Sequence, residues 1–444
     1  MMRRIDWLTL GFLGCMAMVP AGLNAPFFPC PARGEDFSEV APPAAESWDN
    51  LPPVQPAADD WPWWRGPSRD NKARPDQTPP LVWSETENVV WKCDVPGRGH
   101  GSPCLWGNRV FLATADDAAQ TQSVLCYDRQ TGRRLWETTV HSGGFMHTHP
   151  KGSHASVTPA CDGQRIFVAF MVQDAVWATA LDFQGKIVWQ KKASPFKSLH
   201  GYGPSPLVYK SVVIIPAENP GPCVLSALRR DTGDVVWRIR RTDYQSFASP
   251  NVGHIAGRDQ LIVLGPHEVT SYDPNNGRRI WFCEGPTKEQ AATAVFDDRV
   301  VYASAGYPDK RLYAIRADGA GDVTATHILW KMMKDGSFIP TPLLHEGLLY
   351  VVNDRGLAMC LDAASGAAIW SHKLGEGVSA SPVLVGDKIF VPDEAGRTFI
   401  LRTGREFQLL GENDLKDGGF ATPVIGGNRI YLRTLHHLYC LGSR

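Results

Sequence analysis

One decapeptide, Tyr127-Asp128-Arg129-Gln130-Thr131-Gly132-Arg133-Arg134-Leu135-Trp136, returns in altered form along the chain and limits what that chain can fold into. Its skeleton is an Asp, a Gly four places on and a Trp four places beyond that. Asp273, Gly277 and Trp281 keep the spacing, as do Asp362, Gly366 and Trp370; Asp182, Gly185 and Trp189 shorten the first gap by one, and Gly233 and Trp237 keep the second. The apolar run before each Asp reads as a strand. Asp and Gly then supply the tight turn, Asp by bonding backbone two residues on and Gly by tolerating positive φ, and a second strand ends in Trp. A Trp there carries a large apolar face and one N–H to satisfy, which suits packing between neighbouring units.

A second marker gives the number of units. Ser or Thr followed by Pro, a short apolar run, a turn and a β-branched strand occur at Ser102, Thr158, Ser205, Ser249, Thr341, Ser381 and Thr422, and the segment around Thr293 fits without its Pro. These eight units of four strands have the 40–50-residue period of propeller blades. The Trp positions are Trp91, Trp136, Trp189, Trp237, Trp281, Trp330 and Trp370, with Leu410 read as the eighth. Too little chain follows Leu410 for a full unit, whereas Asn88-Val89-Val90-Trp91-Lys92 is an orphan strand ahead of the first marker. The expectation is therefore an all-β, eight-bladed ring closed by this N-terminal strand pairing with the C-terminal blade, which removes two sheet edges. Cys126, Cys360 and Cys440 share one position and read as buried free thiols, with disulfides left open.

The first residues suggest a different job. Residues 1–34 have Arg3 and Arg4, an apolar stretch and then small residues, as in an export signal, with Cys15 as an alternative lipidated residue. Residues 35–60 are rich in Pro, Ala and acid and read as a disordered spacer. Residues 61–444 form the propeller domain, opened by Trp61-Pro62-Trp63-Trp64, which is expected to pack across one face of the array. A formal net charge of −1 gives no basic field for nucleic acid.

These motifs resemble eight-bladed propellers of the pyrroloquinoline-quinone (PQQ) repeat type, from about Trp61 to the C-terminus, and the Gly-x-x-x-Trp copies resemble that family's tryptophan-docking motif. The family includes quinoprotein dehydrogenases and non-enzymatic BamB-type lipoproteins of outer-membrane assembly. The resemblance implies, for the enzymatic branch, adjacent cysteines and a calcium site beside the quinone. No two Cys are adjacent here, and no Cys-x-x-Cys-His haem motif is present.

Two polar groupings stand out. His141, His147, His149, His154 and Lys151 lie in one long connection, where His-x-His spacing plus His154 offers imidazoles to zinc or copper; solvated or backbone-bonded histidines are the plainer reading. Superposed on the markers, His100, His154, His200, Phe247, Phe338 and Phe420 all fall three to six residues before the Pro position. That places them, with Lys151, at the mouth of the central channel, as a ligand site or as a plug. No catalytic, cofactor-binding or metal-binding residue is assigned. The functional expectation is a monomeric, non-catalytic exported propeller, periplasmic or associated with the outer membrane, possessing protein or polymer partners in the cell envelope and no cofactor. A PQQ- and calcium-dependent dehydrogenase acting at the channel mouth is the alternative.

Overall fold

The computed structural model describes residues 37–443 apart from Leu199, Pro222, Thr242 and Asp243. Residues 1–36, with the expected export signal and Cys15, lie outside the described residues. Apart from one helical turn, Ala45–Trp48, the regular structure is strand, arranged as eight four-stranded antiparallel sheets, one of which gains a fifth strand. The blades take residues 104–142, 160–195, 207–240, 251–284, 295–332, 343–373 and 383–414, and the eighth joins residues 424–441 to the strand Val89–Asp94. That strand runs antiparallel to His437–Leu441, with Trp91 opposite Cys440 and Asp94 opposite His437. The ring closes as its sequence requires.

The turn motif works between blades. Asp128 accepts the N–H groups of Gln130 and Thr131 at 3.1 and 2.9 Å, which shapes the turn. Gly132 then stands against the blade before it: a Cβ there would sit 2.6 Å from the Trp91 ring, whose indole N–H donates to Arg129 O at 3.0 Å. Trp136 repeats this with Gly185 and Phe183 O, Trp189 with Gly233 and Arg230 O, Trp237 with Gly277 and Pro274 O, and Trp330 with Gly366 and Ala363 O. Gly therefore serves both the left-handed turn and the approach of the neighbouring indole. Trp370 donates instead to Gly404 O. Trp281 turns to Gln260 Oε1 at 2.7 Å, because the fifth blade's turn is enlarged and its strand Gly321–Asp322 adds in parallel to Arg279–Glu284. The recurrent Cys lies opposite the Trp in register, Cys126 to Trp136 and Cys360 to Trp370, and these thiols are buried and free.

In each blade the pairing of the third and fourth strands slips one residue beside the Trp, as between Cys126–Trp136 and Tyr127–Arg134. In the seventh blade the same slip pairs Ile400 with Gly411 and Leu401 with Leu409. Gly411, not Leu410, therefore holds the eighth Trp position. The indole missing there comes from Trp83, which is 3% exposed and lies 6.3 Å from Phe390. Trp136 and Phe111, Trp189 and Phe167, and Trp330 and Tyr302 make the equivalent pairs at 6.0 Å. The turn that would receive an eighth Trp does not exist, since Gly442 and Asn88 meet there across the chain break, joined by one bond of 2.9 Å.

Residues 37–60 correct the reading of a free spacer. Val40 pairs with Arg238 on the third blade, Trp48 is 3% exposed in a cluster with Leu207, Trp237 and Tyr272, and Arg229 and Arg230 donate to Trp48 O and Pro52 O at 2.9 Å each. Composition missed this because a strap needs few apolar anchors when its backbone finds donors and its prolines keep it extended. The Trp-rich segment does cross the array, and it does so inside the channel. Trp61 exchanges backbone bonds with Leu105, and Cys161 N donates to Pro62 O at 2.7 Å. The segment then bonds Val208 O and Asn251 through Arg69, Thr293 through Trp64, Pro342 O through Arg65, and Leu384 through Asn71 and Ala73. Thr78 reaches Asn428, in the turn after the eighth blade's first strand, at 2.8 Å, so this one segment contacts every blade.

Candidate functional site

The Ser/Thr markers form a belt around the channel. Six of the eight marker N–H groups donate to the marker hydroxyl of the next blade: Ser102 to Thr158, Thr158 to Ser205, Ser205 to Ser249, Thr293 to Thr341, Thr341 to Ser381 and Ser381 to Thr422, at 2.9–3.0 Å, whereas the Ser102 hydroxyl is buried without a hydrogen-bond partner. The link between Ser249 and Thr293 is replaced by Trp64, whose indole N–H donates to Thr293 Oγ1 at 2.9 Å. A hydroxyl that accepts a bond still has a proton to donate. The Pro after most markers has no N–H, so it leaves no donor stranded in the channel wall.

Trp64 and the belt bound a cavity of about 730 Å³ with the anticipated aromatic residues around it. His100, His200, Phe247, Phe338 and Phe420 all line it, as does Lys151, together with Lys288 and Glu289, which the sequence did not single out. His100 and Phe420 pack at 4.3 Å between ring centroids on one side, and His200 meets Phe247 and His149 at 5.9 Å on the other. Exposed Tyr307 and Ile339 stand at the outer rim.

His154 does not converge with them. Its Nδ1 meets Asp117 Oδ1 at 2.8 Å, its Nε2 meets Met146 O at 2.7 Å, and its ring stacks on Phe145 at 4.0 Å. It secures a loop, held by these partners, and Ser156 takes the lining position on that blade. His141 lies on the outer strand Arg134–Ser142 against Phe170 and Trp177, where burial lowers its pKa to about 4. Among the described residues no three His, Cys, Asp or Glu are grouped to hold a metal, so the four histidines of that connection do not gather.

Burial also decides the charge of the cup. It lowers the His100 pKa to about 3, assisted by Arg98 and Arg433, so this imidazole is neutral at any physiological pH. Its Nε2 is buried without a hydrogen-bond partner. Lys151 is held by Glu394 at 2.9 Å, and Lys288 lies 4.8 Å from the Tyr244 ring centroid. The cup is donor-rich, aromatic on facing sides and close to charge-balanced.

Comparison with known proteins agrees with this architecture. BamB of Moranella endobia (strain PCIT) is 23% identical over 351 residues, covering 74% of this chain and 82% of that protein. Methanol dehydrogenase [cytochrome c] subunit 1 of Methylorubrum extorquens is 22% identical over 162 residues, only 26% of its length. The crystal structure of BamB from Moraxella catarrhalis superposes with a TM-score of 0.60 at 14% identity, over 80% of this chain and 97% of that one. Quinohemoprotein alcohol dehydrogenase from Comamonas testosteroni superposes with 0.62 at 12% identity, over 90% and 84%, so these two likenesses concern the fold alone. The family described as outer membrane protein assembly factor BamB matches residues 75–137, 120–328 and 319–432, and with its eight PQQ-type blades the chain belongs to that family.

Proposed function

We propose that this chain is a non-catalytic scaffold of the cell envelope that binds protein partners in outer-membrane protein assembly. The observation that carries the reading is the extent of likeness: the family match runs through nearly the whole ring, and the BamB relative is matched over 82% of its length against 26% for the dehydrogenase subunit. A rigid closed ring whose loops vary in length suits such a role, since the blades hold loop surfaces in fixed relation.

The dehydrogenase reading rests on a partial sequence match and on the shared fold, which hosts unrelated functions. A quinone with calcium would need a dense oxygen donor set, for calcium takes six to eight oxygens with carboxylates prominent. The described lining of the cup presents one carboxylate, Glu289, and no cysteine. These residues do not fit the pair, and no catalytic step is assigned to it.

Cross-linking in intact cells followed by affinity purification of the full chain tests the proposal. Enrichment of outer-membrane assembly proteins over a propeller of unrelated family is the expected result. Absence of any enriched envelope protein, or dye-linked alcohol oxidation that requires both PQQ and calcium, would overturn it.

A further inference from the structure

The cup at the channel mouth is built for a ligand that the scaffold role does not require. Trp64 closes its floor, and the belt residues Thr158, Ser205, Ser249, Thr293, Ser381 and Thr422 line its wall. Those hydroxyls have backbone or indole N–H groups on their oxygen side, which turns their protons into an array of donors. Above the belt, Phe420 of the eighth blade and Phe247 of the fourth stand four blades apart in an eight-blade ring, on opposite sides of the axis. Small residues, Ser156, Gly203, Ala291 and Ser379, leave open space around the wall between them, a slot to which the sixth blade adds a third ring, Phe338. The neutral His100 contributes one unpartnered nitrogen to the same wall. The two lysines of the lining are engaged, Lys151 by Glu394 and Lys288 over Tyr244 beside Glu289, so no strong field selects an ion.

We infer that this cup binds a neutral saccharide, with a sugar ring stacked between the aromatic walls and its hydroxyls bonded to the belt and to His100. Apolar ring faces combined with many hydroxyl edges match a sugar, whereas an inorganic anion uses none of the aromatic surface and a pure hydrocarbon leaves the donors unpaired. The volume, about 730 Å³, falls within the range of small-molecule sites and accommodates more than one sugar unit. The proposal is independent of the partner reading, because a protein that captures assembly proteins and binds no sugar keeps the first and loses the second.

Titration calorimetry of the full chain with maltotriose, cellotriose and triacetylchitotriose tests it, with trigalacturonate and inorganic phosphate as charged arms. At least one neutral trisaccharide should bind, with affinity in the micromolar to millimolar range. Phe247→Ala, which removes a wall, and Ala291→Trp, which fills the slot, should each weaken it tenfold or more while circular dichroism shows an unchanged fold. Phe420→Leu preserves apolar volume without the ring face and supplies the same readout if either variant fails to fold. No binding of any neutral trisaccharide, equal binding in the slot variants, or binding confined to phosphate and trigalacturonate would overturn the proposal.

Discussion

A glycine and an indole from different blades share each seam, and their energies are coupled. Gly366 has φ of +72°, and a Cβ there would lie 2.6 Å from the Trp330 ring. Gly366→Ala should therefore cost more than the roughly 1–2 kcal/mol of a left-handed alanine, and the excess should vanish in a Trp330→Ala background. Denaturant unfolding of the two single variants and the double variant measures that non-additivity; a fully additive cycle would show that the indole does not press on the glycine. Trp237 is 0% exposed, and Trp237→Ala should cost on the order of 3–5 kcal/mol. Trp370 is only partly buried, so its alanine variant should lose less, about 1–3 kcal/mol. His100 sets a pH dependence. Its folded pKa of about 3 lies below the 6.5 of an exposed imidazole, so between those values the unfolded chain binds the proton more readily and stability falls as pH drops. His100→Phe should flatten the part of the melting-temperature decline between pH 6.5 and 4.5 that this imidazole causes, and an unchanged slope would assign that decline elsewhere.

Between blades and straps, the sequence was legible wherever a repeat imposed it and silent where one segment served a unique place. The Asp, Gly and Trp spacing revealed strands and turns because five near-copies face the same packing problem, and the eight Ser/Thr markers with the orphan strand at Trp91 revealed the ring closure. Leu410 was misplaced because the seventh blade's turn, closed from Arg402 to Gln408, is one residue longer than the turn from Asp128 to Arg133 or from Asp362 to Ala367, which moves the eighth position on to Gly411. Trp83 went unassigned since nothing near it repeats, although a buried Trp ahead of an orphan strand was the available signal. Leu410→Trp, which counting would recommend, should change stability by no more than about 0.5 kcal/mol, since position 410 is exposed at the slip. Trp83→Ala should cost on the order of 3–5 kcal/mol, as for the docked indoles. Thermal and denaturant melts separate the two assignments, and the reverse ranking would restore Leu410 to the eighth position.

The ring as a whole depends on one non-covalent joint, and the cup depends on the ring. His100, Phe247 and Phe420 converge only because eight blades bring their lead-in segments to one axis, which explains how spacing before the markers located the mouth while missing that His154 points away. No repeat distinguishes a side chain that faces the channel from one that ties down a loop; partners distant in sequence, Asp117 and Met146 O, decided it for His154. The joint itself is His437–Leu441, bonded to Arg429–Arg433 on one side and to Val89–Asp94 on the other. Removing residues 435–444 should therefore do more than shorten one blade. It leaves Val89–Asp94 without a partner, exposes an edge on Arg429–Arg433 and frees Trp91 from its fixed seat over Gly132. The truncated chain should lose its single cooperative melt, expand in small-angle scattering and bind a dye selective for exposed apolar surface, whereas an equal truncation within an outer loop should not. A truncated chain that melts cooperatively at the full-length temperature would show that the strap through the channel, and not the closing strand, holds the ring together.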